Sequence, residues 1–200
     1  MVIWYVILTL LAIYFLYLCY KVLWYLTKII MFQSKLKKLR GDGCHIQRER
    51  SYWSMFFGKK GVLDFTVTIQ NQKFNVYLLS FLSTRGRWNI EKGENCYYAE
   101  ARRYNRVFYN AYRNSSDEPE HSRDFRRESP FWKCLFHLPK EKASSNDKQI
   151  VLAYPTPRLL TYTDKKLEYL QSGNTFDGYT VMLWDDFLNF LKSGMEGNHE

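Results

Sequence analysis

From Val2 through Tyr20 the chain carries no charged side chain, reading VIWYVILTLLAIYFLYLCY. Lys21 and Lys28 then punctuate a run that stays apolar through VLWYLT and IIMF as far as Phe32. An α-helix rises about 1.5 Å per residue, so about twenty apolar residues cross a ~30 Å hydrocarbon core. The uncharged run meets that length. Trp4, Tyr5, Trp24 and Tyr25 lie near its two ends, where amphipathic rings favour the headgroup layer. Lys21 can keep its alkyl stem in lipid and lift its ammonium outwards. A cleaved signal peptide would open on positive charge, carry a shorter apolar core and end at small residues. Here no Lys or Arg precedes the run, and large aromatics fill it. The alternative of a core helix in a domain of this size is weakened by a hydrophobic circumference with no polar face. The expectation is a retained transmembrane helix over residues 1–32.

Charge sets the expected orientation. Residues 33–60 form a basic juxtamembrane segment. Lys35, Lys37, Lys38, Arg40, Arg48, Arg50, Lys59 and Lys60 stand there against Asp42 and Glu49. The positive-inside rule puts this side in the cytoplasm and the short N-terminus outside a cell membrane. Lys35, Lys37, Lys38 and Arg40 form a collar that anionic lipids attract, at about 1 kcal/mol per residue near the surface. Much of the formal net charge of +9 sits in residues 33–60, with eight basic against two acidic side chains, so the total does not by itself imply nucleic acid. Cys19, Cys44, Cys96 and Cys134 are too scattered for a disulfide scaffold and suit a reducing compartment. Asn114-Ser115-Ser116 is a formal glycosylation sequon that matters only on a lumenal side.

SKLKKLR, Ser34 to Arg40, extends the helix out of the bilayer until Gly41 and Gly43 break it. Cys44 to Gly58 reads as a strand or an irregular return. A soluble α+β domain is expected over 61–193: a small mixed sheet with flanking helices. In its first strand Leu63, Phe65, Val67 and Ile69 share one face, and Asp64, Thr66 and Thr68 the other. Asn71-Gln72 is read as the turn. The second strand is apolar on both faces, with Phe74, Val76 and Leu78 opposed to Tyr77, Leu79 and Phe81, the pattern of a central strand. Ser83–Arg87 and Asn89–Asn95 read as loop or bent strand, and Tyr97–Arg113 as a helix, with strand as the competitor because Tyr and Phe favour sheets. Polar loops follow near 114–128 and 140–148, separated by an apolar strand, Phe131 to Leu138. Gln149–Tyr154 is a buried strand stopped by Pro155 and Pro157, and LLTYT a short extended piece. Asp177-Gly178 is a turn into a last strand, Tyr179–Leu183. Trp184, Phe187, Leu188 and Leu191 then fall at helical spacing, ahead of a polar tail over 194–200.

A hairpin bearing an Asp, flanked by helices and followed by strand, strand and helix, resembles the restriction-endonuclease-like core over Ser34 to Lys192. That resemblance implies an Asp on one strand and an acid-x-Lys pattern on the next, holding magnesium and positioning water. Asp64 matches the first element. Tyr77 and Leu79 stand where the acid and the lysine belong, and neither ligates a hard cation or stabilises charge, so the implied active site is lost. The layout also resembles small membrane proteins of Gram-positive bacteria with one N-terminal span and a basic, aromatic-rich domain. That likeness rests on arrangement and on Leu79-Ser80-Phe81, and implies no activity.

Other chemistry finds little support. Cys134 and His137 make one C-x-x-H pair and Cys44-His45 an adjacent one. A zinc site needs two properly spaced pairs, so no metal and no cofactor are expected. No G-x-S-x-G, P-loop or G-x-G-x-x-G occurs. Gly58-Lys59-Lys60-Gly61 is a plain turn, and His121 a solvated loop residue. Arg85, Arg87, Arg102, Arg103 and Arg106, mixed with Trp88, Tyr97, Tyr98 and Tyr104, could neutralise phosphate and stack on bases. Glu91, Glu94 and Glu100 interrupt that basic surface. The expected function is therefore a membrane-anchored cytoplasmic interaction module without a catalytic site, contacting anionic lipids and a protein partner. The alternative is a membrane-tethered nucleic-acid-binding protein or divergent nuclease using Asp64.

Overall fold

The computed structural model describes residues 2–39, 44–82, 86–102, 132–139 and 147–196. Arg40, Arg85, Arg103 and Arg106, the loop expected at 114–128 and most of that at 140–148 lie outside them. The chain divides into two compact units, Met1–Lys38 and Leu39–Glu200.

The first unit is one helix, α1 (Val2–Lys38). At about 1.5 Å per residue it is roughly 55 Å long. From Ile3 its most apolar stretch has a mean hydropathy of 2.2 and none of it is buried, so it is long and apolar enough to cross a membrane. Lys35, Lys37 and Lys38 occupy its last turn, where cations complement the negative end of the helix dipole.

The second unit stacks two sheets and a helix. Its strands are β1 (Cys44–Arg48), β2 (Phe65–Ile69), β3 (Gln72–Leu79), β4 (Arg87–Lys92), β5 (Tyr97–Arg102), β6 (Trp132–Phe136), β7 (Lys148–Ala153), β8 (Leu159–Thr163), β9 (Leu167–Tyr169), β10 (Thr175–Phe176) and β11 (Tyr179–Leu183). Short α2 (Tyr52–Phe57) follows β1, and α3 (Trp184–Glu196) closes the chain. Sheet A has the order β1-β2-β3-β7-β11-β10, and sheet B the order β6-β5-β4-β8-β9. Three pairings are parallel: β3 with β7, β7 with β11, and β4 with β8. The chain therefore shuttles between sheets, because parallel neighbours need a crossover.

Sheet A contains the strands expected from sequence. Its central strand β3 is buried on both faces. Tyr77 and Leu79 join Val151, Ala153, Tyr179 and Val181 in a core shared with Trp88, Ile90, Leu160 and Tyr162 of sheet B. On the opposite face Phe65 and Phe74 meet Phe187 and Phe190 of α3, with ring centroids 6.2 and 5.2 Å apart. Trp184, Phe187 and Leu191 are all buried, so the helical spacing read in the sequence is the packed face.

Several local expectations shift. The β2–β3 turn is centred on Gln70-Asn71, with φ of 49° and 63°, one residue earlier than expected. Both central residues take positive φ, as a right-twisted two-residue hairpin requires. Residues 89–92, read as loop or bent strand, belong to strand β4, and residues 97–102 form strand β5, the competitor to the helix expected there, while residues 103–113 lie outside the described residues. Ala99 and Ala101 are small because they pair in register with the bulky Ile90 and Trp88. Lys148 begins β7 instead of ending a loop, and α3 continues through Glu196. Cys44–Phe57, read as a stretch ahead of the domain, supplies the edge strand of sheet A and α2.

Candidate functional site

Asp64 sits just ahead of β2, only 1% exposed. Its Oδ2 accepts the Leu78 N–H at 2.7 Å, and its Oδ1 accepts from Arg50 Nη1 at 3.0 Å. Arg50 also donates to the Lys59 carbonyl and, through Nη2, to the Ser54 carbonyl and hydroxyl at 2.8 and 2.7 Å. Lys60 Nζ donates to the carbonyls of Met55 and Phe56 at 3.1 and 2.6 Å. These cations satisfy carbonyls that a helix end leaves without intrahelical partners. Burial pushes the Asp64 carboxyl up to about 7, against the pull of the Leu78 N–H, Arg50 and Lys60. Burial likewise lowers the Lys60 ammonium to about 8, opposed by Asp64. The corner is a buried polar knot that fastens α2 to the first hairpin. Tyr77 and Leu79 point into the inter-sheet core, where the Tyr77 hydroxyl donates to Gln149 Oε1 at 2.9 Å.

Two of the expected arginines come together. Arg87 and Arg102 are register partners on β4 and β5, 1% and 7% exposed. Arg102 pairs with Glu100 at 2.8 Å, and Lys133 bridges Glu100 and Glu91 at 3.0 and 2.7 Å. Burial would raise the Glu100 carboxyl, but hydrogen bonds from Arg102 and Lys133 hold it below its ordinary value. Beside them Asn89 Oδ1 accepts from the hydroxyls of Thr161 and Thr163 at 2.9 and 3.0 Å. Sheet B thus has one apolar face and one polar, largely hydrogen-bonded face. Arg87 and Arg102, read as possible phosphate contacts, are thus buried rather than solvent-facing.

Sequence reasoning missed a third constellation. Asp177 occupies the β10–β11 turn at φ 46°, followed by Gly178 at 85°. Its carboxylate accepts from the hydroxyls of Tyr97 and Tyr162 at 2.7 and 2.9 Å and from Lys92 at 3.0 Å. The turn belongs to sheet A and all three donors to sheet B, so Asp177 pins the sheets together at one end. Burial would raise its pKa, but the bonds from Tyr97, Lys92 and Tyr162 outweigh it and hold the carboxyl low. Desolvation and the bond to Asp177 raise both tyrosines. Asp177 and Tyr97 are separated by 80 residues, so no local pattern announces the pair.

Cys134 is half-buried and Cys44 buried, and burial raises both thiols. Among the described residues no three His, Cys, Asp or Glu side chains converge to hold a metal ion. The carboxylates of these clusters are matched by cations of the same domain: Asp64 by Arg50, Glu100 by Arg102 and Lys133, and Asp177 by Lys92. No family model matches this chain, and neither a curated protein nor a solved structure matches it.

Proposed function

We propose that this chain is a single-span membrane protein whose Leu39–Glu200 unit works at the cytoplasmic face of the cell membrane as an interaction module. The observation carrying the reading is the surface of α1, apolar and exposed at every residue from Ile3 to Leu18. Water does not tolerate so large a continuous apolar surface, whereas a bilayer is its natural solvent. The lysines in the last turn of α1 support the orientation and favour anionic lipid headgroups. A non-enzymatic role for the folded unit is supported by its ionisable clusters. Arg50 engages Asp64, Lys133 and Arg102 engage Glu100, and Lys92 with two tyrosines engages Asp177.

Carbonate extraction of the full-length chain from its own membranes tests the anchor, and a reporter fused after Glu200 tests orientation. The chain should stay in the membrane fraction with an intact N-terminus and a cytoplasmic reporter. Release by carbonate, a mature chain beginning beyond Tyr20, or an exported reporter would overturn the reading. Incubation with DNA and RNA, with and without magnesium, tests the enzymatic alternative. Magnesium-dependent cleavage abolished by Asp64→Ala would replace the module with a divergent nuclease of the restriction-endonuclease-like class.

A further inference from the structure

Helix α2 turns its apolar residues in two directions. Met55 and Phe56 are buried, the Phe56 ring lying edge-on to Tyr154 at 5.7 Å. Trp53 and Phe57, one turn apart, face outwards with ring centroids 4.4 Å apart, and are 61% and 47% exposed. Val62, just beyond, is exposed as well. A six-residue helix has no stability of its own. This one is held by the Ser51 cap, by Arg50 on Ser54 and by Lys60 on its last carbonyls. The fold thus fixes a short helix rigidly and uses it to present two large aromatic rings to the outside. Packing of the domain requires only the inward pair; outward positions of a surface helix are ordinarily polar.

We infer that α2 is a second membrane contact, with Trp53 and Phe57 seated in the headgroup layer of an anionic bilayer. The inference rests on the membrane reading above and names a surface that reading does not contain. Three observations select lipid as the occupant. The first is chemistry: a Trp beside a Phe unites apolar area with an indole N–H that prefers the wet boundary of a membrane. The second is charge. Arg48, exposed and lying over the Tyr52 ring at 5.0 Å, and exposed Lys59 bracket the aromatic pair with cations suited to anionic headgroups. The third is the tether. About 55 Å of α1 exceeds a ~30 Å hydrocarbon core by about 25 Å. Only residues 39–43 separate α1 from β1, the edge strand of sheet A, a reach of about 20 Å at about 3.3 Å per residue, so the domain is held near the leaflet from which α1 emerges. A contact tethered this closely forms at high effective concentration, so two rings suffice where a free domain would need more.

Fluorine NMR of the full-length protein, labelled with fluorotryptophan and held in phosphatidylcholine–phosphatidylglycerol nanodiscs, tests this. Trp53 and Trp24 lines are assigned by their disappearance in Trp53→Phe and Trp24→Phe. A nitroxide-bearing phospholipid should erase the Trp53 line, and an aqueous gadolinium chelate should spare it. If Trp24 responds to the lipid nitroxide while Trp53 is untouched by it, or is erased by the chelate, the second contact is wrong and the span stands. If the lipid nitroxide leaves Trp24 untouched, the span fails, and this contact fails with it.

Discussion

Replacing Asp177 gives the sharpest test of how the two sheets are joined. Two tyrosine hydroxyls donate to its carboxylate, and hydrogen bonds to charged groups contribute about 1.5–3 kcal/mol each. The side chain is 30% exposed, so water replaces part of the loss, and the low end applies: about 3 kcal/mol for the two. Lys92 adds an exposed contact that is left out of this figure. Ala at φ 46° adds about 1 kcal/mol of left-handed strain that Asp avoids, bringing Asp177→Ala to about 4 kcal/mol. Asp177→Asn keeps both the turn and an acceptor and loses only the charge, so about half of the hydrogen-bond part, roughly 1.5 kcal/mol, should go. The assay is urea denaturation of residues 39–200 followed by tryptophan fluorescence. The decisive comparison is Tyr162→Phe, which should cost about 1.5 kcal/mol in the native background and almost nothing in Asp177→Ala. Equal costs in the two backgrounds would show that the carboxylate does not hold the tyrosine, and the sheet-pinning account would be wrong. The pH dependence has a definite sign. The folded pKa of Asp177 lies below its ordinary 3.8, so its stabilisation is complete above that value. It disappears as pH falls through the folded pKa, where native and Asp177→Asn proteins should converge.

The same denaturation assay reaches the other elements. Asp64 has the opposite pH sign: its folded pKa is raised from 3.8 to about 7, so the native state holds a proton the unfolded chain has lost. Stability should fall by up to about 1.4 kcal/mol per pH unit across that window, and Asp64→Asn should flatten this part of the profile; an unchanged slope contradicts the assignment. Arg50→Ala removes the group joining Ser54, Lys59 and Asp64 and should destabilise by about 3 kcal/mol, with a loss below 1 kcal/mol counting against a knot. Gly61 takes φ 75°, and a Cβ there would lie 2.5 Å from the His137 nitrogen. Gly61→Ala should therefore lose more than about 2 kcal/mol, and a neutral result would mean that this approach is looser than described.

Sheet A was legible because its strands are apolar. Phe74 to Leu79 has large side chains on both faces, and Gln149–Tyr154 is a continuous hydrophobic run, so burial on two sides is written into residue type. Sheet B was legible only in part: β6 and β8 were expected as strand and extended piece, whereas β4 and β5 were ambiguous although their period is present. Arg87, Asn89 and Glu91 alternate with Trp88 and Ile90, and Tyr98, Glu100 and Arg102 with Tyr97, Ala99 and Ala101. The polar half of that alternation is Gly-flanked and charged, which suggests a loop. The inward half of β5 is largely alanine, a strong helix former. The weight of the decision lies in partners that are distant in sequence, Ala101 against Trp88 and Ala99 against Ile90. The candidate sites divide the same way. Asp64 is conspicuous as a lone carboxylate at the mouth of a hairpin, yet its burial and its Arg50 partner are tertiary facts. The exposure of Trp53 and Phe57 could not be read from YWSMFF, in which five of six residues are apolar or aromatic.

The parallel pairing of β3 with β7 has a consequence for synthesis. Tyr77 must wait for Gln149, 72 residues further along. At ribosomal speeds of about 5–20 residues per second, that delay is on the order of several seconds. Throughout it, the central strand β3 has β2 on one flank and a bare backbone edge on the other, the kind of edge that recruits strands from other chains. Nascent copies crowded on one patch of membrane would be the ones at risk, and widely spaced ribosomes would be the remedy.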